Sequence, residues 1–353
     1  MTGPSAAAEQ LASEVLSRAP ALAQQASARH LAKHPQWVER YGPIAETRCT
    51  EDGLFRLRHI AAALSTGRDD LFTAYISWAA GMFAHLQIGV DDLHDHLQSL
   101  KAVLTDTFGD ASLPAIALPD SAQDHLEQAP VEPQSFLIGD EVGAHLARDY
   151  LAVLLAGNRF EAVRMVLAAV DNGLSIESVY LDVFQPALRE VGRLWELGRI
   201  TVAQEHLVTA ATQVAMAQLY PQIFGADKIG RTIVVASVGG ELHEIGGRML
   251  ADIFELRGWD TLFVGANTPI SAIVQLATEH RADVVAVSAT FGAHVPLVRD
   301  VVQQIREQST ARVLVGGRPF LLLPDLWQDT GADGTAADAV AAVKLASQLA
   351  AAA

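Results

Sequence analysis

Apolar and polar positions follow two different spacings along this chain. Up to about residue 225, apolar residues recur every three or four positions, the spacing of helices that bury one face. From Arg231 onward, short β-branched runs are each followed by a segment with helical spacing, which is typical of strands joined by crossover helices. The pattern therefore predicts an α + α/β protein.

The first 130 residues are predicted to form an N-terminal helical domain. Helical spacing is clear over residues 52–64, 71–86 and 90–108. Residues 113–133 contain four prolines among Ala, Asp and Gln, a composition typical of a linker. We therefore expect a domain boundary near residue 130.

Residues 139–225 are predicted to form a four-helix bundle. Four helical segments follow one another with short connections. Ser175 is expected to cap the third helix, and Pro186 is expected to kink it. Thr201 and Gln204 have the spacing of a capping box at the start of the fourth.

The last part of the chain, residues 231–353, is predicted to form a doubly wound, five-stranded parallel sheet. Helices are expected to begin near His243, Ile270, Val295 and Phe320, and a last helix is expected over residues 336–350. The strands are expected at residues 232–237, 261–264, 284–288, 313–315 and 332–335. The chain is thus predicted to contain three domains.

Composition and charge exclude several classes of protein. The net charge is −16 and no basic cluster occurs, which argues against a nucleic-acid-binding surface. No uncharged apolar run reaches the roughly 18 residues of a membrane span, and no signal peptide is recognisable. A single cysteine, Cys49, excludes an internal disulfide framework. We therefore expect a cytoplasmic protein.

Three predicted strands end in loops that carry candidate binding residues. The first loop reads Glu241-Leu-His243-Glu-Ile-Gly246, the second Ser288-Ala-Thr290, and the third Gly316-Gly317. Ligands of open α/β sheets bind outside the carboxyl ends of the strands. Each loop alone is commonplace, but the three together, in this order and spacing, indicate one binding site.

In these loops, residues 231–350 resemble the cobalamin-binding domains of methionine synthase, methylmalonyl-CoA mutase and related corrinoid proteins, which have a Rossmann-like or flavodoxin-like fold. The resemblance implies that His243 binds cobalt from below and that Glu241 holds its imidazole. It also implies that Gly246 and Gly247 leave room for the nucleotide tail, that Ser288 hydrogen-bonds the dimethylbenzimidazole, and that Gly316-Gly317 approaches it. This chain departs from the commoner pattern in having Glu241 instead of Asp, and it has Thr290 in the second loop. The implied cofactor contacts are Glu241, His243, Glu244, Ile245, Gly246, Ser288, Thr290, Gly316 and Gly317.

The predicted bundle resembles the helical cap of cobalamin-dependent photoreceptors, including the light-sensitive repressors of carotenoid synthesis. Trp195 is followed, after nine residues, by Glu205-His206. The resemblance implies adenosylcobalamin, with Trp195 against its upper group and Glu205 and His206 in contact with that group. It also implies photolysis of the cobalt–carbon bond and a light-dependent homo-oligomer.

Two features of the chain depart from those repressors. Glu196 stands where they often have a histidine that binds cobalt after photolysis, which puts such a photoproduct in doubt. The N-terminal region is acidic and differs from their basic helix-turn-helix domain.

The N-terminal helical domain resembles, in its arrangement, that of the photocobilins, which bind biliverdin as well as cobalamin. The likeness implies Arg56, Arg58 and His59 as propionate or pyrrole partners, and Cys49 as either a thioether link or a spectator thiol. From the residues alone, the histidines and aromatics here line a pocket for haem or another planar pigment, or they are ordinary core and surface residues. These residues are Trp37, Tyr41, His59, Tyr75, Trp78, His85, His94 and His96.

The main hypothesis is a light sensor that uses adenosylcobalamin on His243, with biliverdin as a second chromophore and without enzymatic activity of its own. The alternative is a corrinoid methyl carrier of a methyltransferase system. A third hypothesis, the small subunit of an adenosylcobalamin-dependent isomerase, lacks a partner barrel for the substrate. Glu244 and Asp252 are expected on a solvated helix face, and His294 is expected in a loop near the corrin edge. The downstream partner is not indicated.

Overall fold

The computed structural model describes residues 4–127 and 132–351, and the chain divides into two compact units. The first unit comprises Met1–Val131 together with Ala289–Arg299. The second comprises Glu132–Ser288 and Asp300–Ala353.

The N-terminal part of the first unit is helical. Small and aliphatic residues of α1, among them Val15, Leu22 and Ala26, are buried against α3 and α5, because they recur on one face of the helix. The helices are α1 (Ala6–Lys33), α2 (Gln36–Tyr41), α3 (Ile44–Thr66), α4 (Asp69–His85), α5 (Val90–Phe108) and α6 (Leu113–Glu127).

Helix α6 occupies most of the segment that was predicted to be a linker, so that prediction is wrong for residues 113–127. Pro114 lies in the first turn, where a missing N–H has no intrahelical acceptor to lose. Pro119 lies inside the helix. Burial of Leu118 and Leu126 in the core offsets the cost of that proline. Residues 128–131 lie outside the described part of the chain.

The bundle of the second unit follows the predicted order. The Oγ of Ser175 accepts from Ser178 N (3.0 Å), and Gln204 Oε1 accepts from Thr201 N (2.9 Å). A wider, π-helical turn precedes Pro186, whose ring nitrogen cannot donate a backbone hydrogen bond. The elements are α7 (Val142–Leu155), α8 (Arg159–Asp171), α9 (Ile176–Ser178), the π-helical turn Val179–Phe184, α10 (Gln185–Glu196) and α11 (Val202–Ile223).

A parallel sheet with strand order β2-β1-β3-β4-β5 follows the bundle, which confirms the predicted α + α/β fold with a doubly wound, five-stranded sheet. The chain reverses direction across the sheet between β1 and β3, which places a topological switch point there. The strands are β1 (Thr232–Val238), β2 (Asp260–Thr268), β3 (Val284–Ser288), β4 (Arg312–Gly316) and β5 (Gly334–Thr335). The helices are α12 (Ile245–Leu256), α13 (Ile270–Glu279), α14 (Val295–Gln308), α15 (Arg318–Leu322), α16 (Leu326–Asp329) and α17 (Ala339–Ala351).

Bundle and sheet belong to the same unit because α12 packs against both. Met249 and Ile253 of α12 share a hydrophobic core with bundle residues such as Phe184 and Val208. Phe254, on another face of α12, is buried with residues of the sheet. Among the described residues, no helix combines the length and apolar character that a bilayer span requires.

Candidate functional site

The carboxyl ends of β1, β3 and β4 lie side by side. Ser237 pairs with Ser288, and Ser288 pairs with Gly316. The loop of His243 and the turn at Gly316-Gly317 therefore begin at neighbouring points on one edge of the sheet, around the switch point.

The end of β2 fixes the backbone of the His243 loop. Gly240 has a φ of +80° and donates from its N–H to Asn267 Oδ1 (2.7 Å). The N–H of Asn267 donates to the carbonyl of Glu241 (2.8 Å), and Asn267 itself has a φ of +50°. Asn267 was not identified from the sequence, and the only local signal is that asparagine tolerates the left-handed region.

Glu241 and His243 form the central pair of the site. Glu241 is fully buried, and its Oε1 accepts from both the backbone N (2.9 Å) and the Nδ1 (2.6 Å) of His243. The side chain of His243 is 59% exposed. Because Nδ1 carries the proton that it donates to Glu241, Nε2 is the nitrogen with which His243 can bind a metal.

The hydrogen bond to Glu241 raises the pKa of His243 above its ordinary value. Partial burial opposes this shift, and the charge of Glu205 acts in the same direction as Glu241. The effect of Glu205 places the start of α11 near the His243 ring.

Glu244 and Ile245 connect the loop to its surroundings. The carboxylate of Glu244 accepts from Gln213 Nε2 of α11 (3.1 Å) and from the N–H of Ala266 at the end of β2 (3.2 Å). Ile245 packs against the core of the bundle. The expectation of a solvated helix face is therefore wrong for Glu244.

Glycines of the predicted motif serve two different purposes. A Cβ added at Gly246 or Gly316 meets no atom within 4 Å, so both positions border open space. A Cβ at Gly247 lies 3.5 Å from the Phe263 ring, which makes Gly247 a contact between α12 and the sheet. Gly317 has a φ of +105°, which favours glycine at this turn.

The bundle contributes Trp195, Glu205 and His206. Trp195 lies in the last turn of α10 and is 38% exposed. Glu205 and His206, in the first turns of α11, are hydrogen-bonded to each other through Glu205 Oε2 and His206 Nδ1. The neighbour of Trp195, Glu196, pairs with Arg318 directly after Gly317 (3.2 Å).

Thr290 and His294 belong to the segment Ala289–Arg299 of the first unit. Ser288, at the end of β3, belongs to the second unit. The ring of His294 lies 5.9 Å from that of Phe291.

Some of the predicted pigment-lining residues of the first unit lie together. His59 stacks on Tyr75 (4.0 Å between ring centroids), and Trp78 lies beside Tyr75. His59 is buried, which lowers its pKa to about 4, and its Nδ1 donates to the carbonyl of Phe55 (2.9 Å).

Other candidates of the first unit differ in burial. His96 is buried with Arg56, whose Nη1 donates to its Nδ1 (3.2 Å). His85 and Arg58 are exposed. Cys49 is partly buried, and burial raises its pKa.

The site fits a corrinoid. Within the described ranges, no group of three or more His, Cys, Asp or Glu side chains could hold a bare metal ion. A corrin ring brings its own equatorial nitrogens, so a single neutral imidazole suffices from the protein. His243, held by Glu241 beside the open space at Gly246 and Gly316, provides that imidazole.

Comparisons with known proteins agree with this chemistry. One family model, described as a B12 binding domain, matches residues 231–344. A second model with the same description matches residues 146–220. Dimethylamine corrinoid protein 1 of Methanosarcina acetivorans is 30% identical over 196 residues, covering 52% of this chain and 89% of its own. Dimethylamine corrinoid protein 3 of Methanosarcina mazei is 30% identical over 171 residues, covering 46% of this chain and 99% of its own.

A solved structure shares the fold. The monomethylamine corrinoid protein of Methanosarcina barkeri superposes with a TM-score of 0.52 at 19% identity, covering 59% of this chain and all of its own. The fold and site thus define a cobalamin-binding protein with a helical cap. More specifically, the chain belongs to the corrinoid protein family. The comparisons support cobalamin binding, but they do not extend to the photoreceptor class, to adenosylcobalamin or to biliverdin.

Proposed function

We propose that the protein holds a corrinoid on His243 and serves as the methyl carrier of a methyltransferase system. The Glu241–His243 pair, at the sheet edge shared with Ser288 and Gly316, is the observation that carries the proposal. The relatives named for dimethylamine favour the methyl carrier over the light sensor. The methyl carrier was the alternative hypothesis from the sequence. Their names make methylated amines the first class of methyl donor to test.

The residues of the proposed site fall into two groups, one in and near the His243 loop and one in the bundle. Glu241 keeps the Nδ1 proton of His243 in place, so Nε2 would be the nitrogen that holds the cobalt. Gly246 and Gly316 leave room for the nucleotide tail. Trp195, Glu205 and His206 of the bundle would border the other face of the corrinoid; Trp195 is 38% exposed, and the charge of Glu205 acts on His243. When bound, a corrinoid supplies a cobalt centre that accepts a methyl group from one partner and gives it to another.

Titration of the apo protein in the dark with methylcobalamin and adenosylcobalamin tests the carrier. We expect methylcobalamin to bind more tightly, because a carrier must accommodate a small upper group. His243→Ala should weaken binding of both. Tighter binding of adenosylcobalamin by the wild type, or no binding of either, would contradict the proposal.

A light sensor is the second candidate function, and the bundle favours it. Trp195 and the Glu205–His206 pair retain the spacing of the photoreceptor cap, and Glu205 acts electrostatically on His243. Protein loaded with adenosylcobalamin should then change its absorption spectrum and its elution volume on illumination. A red absorption band after expression with biliverdin would support a second chromophore. If illumination changes neither property, this candidate fails.

A further inference from the structure

A buried polar pair joins the bundle to α12. The hydroxyl of Tyr180 donates to Asp252 Oδ2 at 2.8 Å. Tyr180 is fully buried and Asp252 is 5% exposed. Asp252 was expected on a solvated helix face, so this expectation is wrong.

Arg248, one helical turn before Asp252, makes a second contact with the bundle. Its Nη2 donates to the hydroxyl of Tyr220 (2.7 Å), and its guanidinium lies 5.0 Å from the centroid of the same ring. Burial and then the charge of Asp252 raise the pKa of Tyr220, so Tyr220 also lies near that carboxylate. We call Tyr180, Tyr220, Arg248 and Asp252 the α12 joint.

The α12 joint connects the elements that border the candidate site. Helix α12 begins at Ile245, two residues after His243. Tyr180 lies in the π-helical turn that leads into α10, the helix of Trp195. Tyr220 lies on α11, the helix of Glu205. Arg248 and Asp252, on one face of α12, thus contact α11 and the π-helical turn that leads into α10.

The chemistry of the joint makes it specific for one arrangement. Burial of a carboxylate without hydrogen bonds is costly, and the partly buried guanidinium of Arg248 would lose its acceptor. Sliding the bundle along α12 would separate Asp252 from Tyr180 and Arg248 from Tyr220. Apolar packing between Ile253 and the bundle would penalise such a shift less, because it has no directional bonds.

We propose that Tyr180 and Asp252 are positioning residues that fix the separation between the His243 loop and the cap residues Trp195 and Glu205. The joint thereby controls access to the upper face of the bound corrinoid, a role that rests on the proposed function because it places the corrinoid on His243. Loosening the joint should expose the site without unfolding the protein.

Tyr180→Phe, compared with Tyr150→Phe, tests the joint in the apo protein. Tyr150 is also fully buried, and its hydroxyl donates to Thr212 Oγ1 (3.0 Å), a bond between α7 and α11 that does not involve α12. Each substitution removes one buried hydroxyl, so both should lower the Tm by a similar few degrees. Only Tyr180→Phe should speed hydrogen exchange over residues 239–256. Equal exchange in the two variants would overturn the proposal.

The loaded protein gives a second readout, the rate at which cyanide replaces the upper ligand of bound hydroxocobalamin. Loss of one joint hydrogen bond should raise this rate about tenfold in Tyr180→Phe and leave it unchanged in Tyr150→Phe. Equal rates would overturn the proposed control of access. Tyr220→Phe, which removes the acceptor of Arg248, should behave like Tyr180→Phe and serves if that variant does not fold. If the wild type does not bind hydroxocobalamin, the proposed function fails, and hydrogen exchange still decides whether the joint exists.

Discussion

Glu241 is fully buried beside an imidazole that is more than half exposed. Its Oε1 accepts two hydrogen bonds from His243, so the carboxylate sets both the backbone and the ring orientation of that residue. The resemblance to cobalamin-binding domains implied this pair, and the two-residue spacing lets the ring turn back onto the carboxylate. Asn267 was not predictable, since it reaches the loop from the neighbouring strand.

Glu241→Gln should lower the pKa of His243 towards its ordinary value. The amide retains an acceptor but loses the charge that stabilises the imidazolium. NMR titration of His243 in the apo protein measures the shift. Glu244→Gln, in the same loop, is the control and should leave the pKa of His243 near that of the wild type. An unchanged pKa in Glu241→Gln would show that the carboxylate does not govern the imidazole.

Gly246→Ala should weaken cobalamin binding while the apo protein stays at least as stable. The new methyl group meets no protein atom and improves helix propensity by up to about 1 kcal/mol. Overlap with the bound tail should cost about 1–3 kcal/mol, which is about fivefold to 150-fold in Kd. Calorimetry and binding titration measure the two effects. Gly225→Ala, at another glycine with open surroundings, should leave Kd unchanged, and an unchanged Kd in Gly246→Ala would place the tail elsewhere.

At the scale of elements, periodicity predicted most helices and strands because burial on one face imposes the spacing. It missed α6, where composition pointed to a linker although Leu118 and Leu126 have helical spacing. It also missed the burial of Asp252. An acid on an amphipathic helix is usually solvated, and the partner Tyr180 is 72 residues away in the chain.

Helix α6 gives a direct test of that correction. Leu118 is 2% exposed, so Leu118→Ala should destabilise the first unit by about 2–5 kcal/mol. Leu113, in the same helix, is 60% exposed, and Leu113→Ala should change stability by less than about 0.5 kcal/mol. Urea unfolding followed by circular dichroism measures both. Equal effects of the two substitutions would restore the linker interpretation.

At the scale of the whole molecule, each unit has its own core. The alternation of β-branched runs with helical spacing predicted the doubly wound sheet, and the three loops at the strand ends indicated the site. The assignment of Ala289–Arg299 to the first unit was not predictable, because it depends on tertiary contacts of a segment that reads as part of the α/β region. Likewise, the burial of His30, His59 and His96 in the first unit is evident only from the folded structure.

These histidines should make the first unit sensitive to acid. Burial lowers the pKa of His30 and His59 from 6.5 to about 4, and it lowers the pKa of His96 well below 6.5. The unfolded chain therefore takes up protons first, and stability should fall as the pH drops from 6.5 towards 4. Asp52, whose pKa is raised by burial, acts in the opposite direction but is a single group. Urea unfolding across this range measures the effect, and His59→Phe should flatten it. A stability that is constant over the range would contradict burial of the neutral imidazoles.

The identity of the lower cobalt ligand is the central claim, and electron paramagnetic resonance of the reduced, cobalamin-loaded protein tests it most directly. Protein grown with histidine labelled with the heavy nitrogen isotope should show the cobalt signal split by the labelled nucleus. The splitting should be absent in labelled His243→Ala. If the labelled wild-type protein keeps the splitting of unlabelled nitrogen, the ligand is the cofactor's own base and His243 is not the ligand.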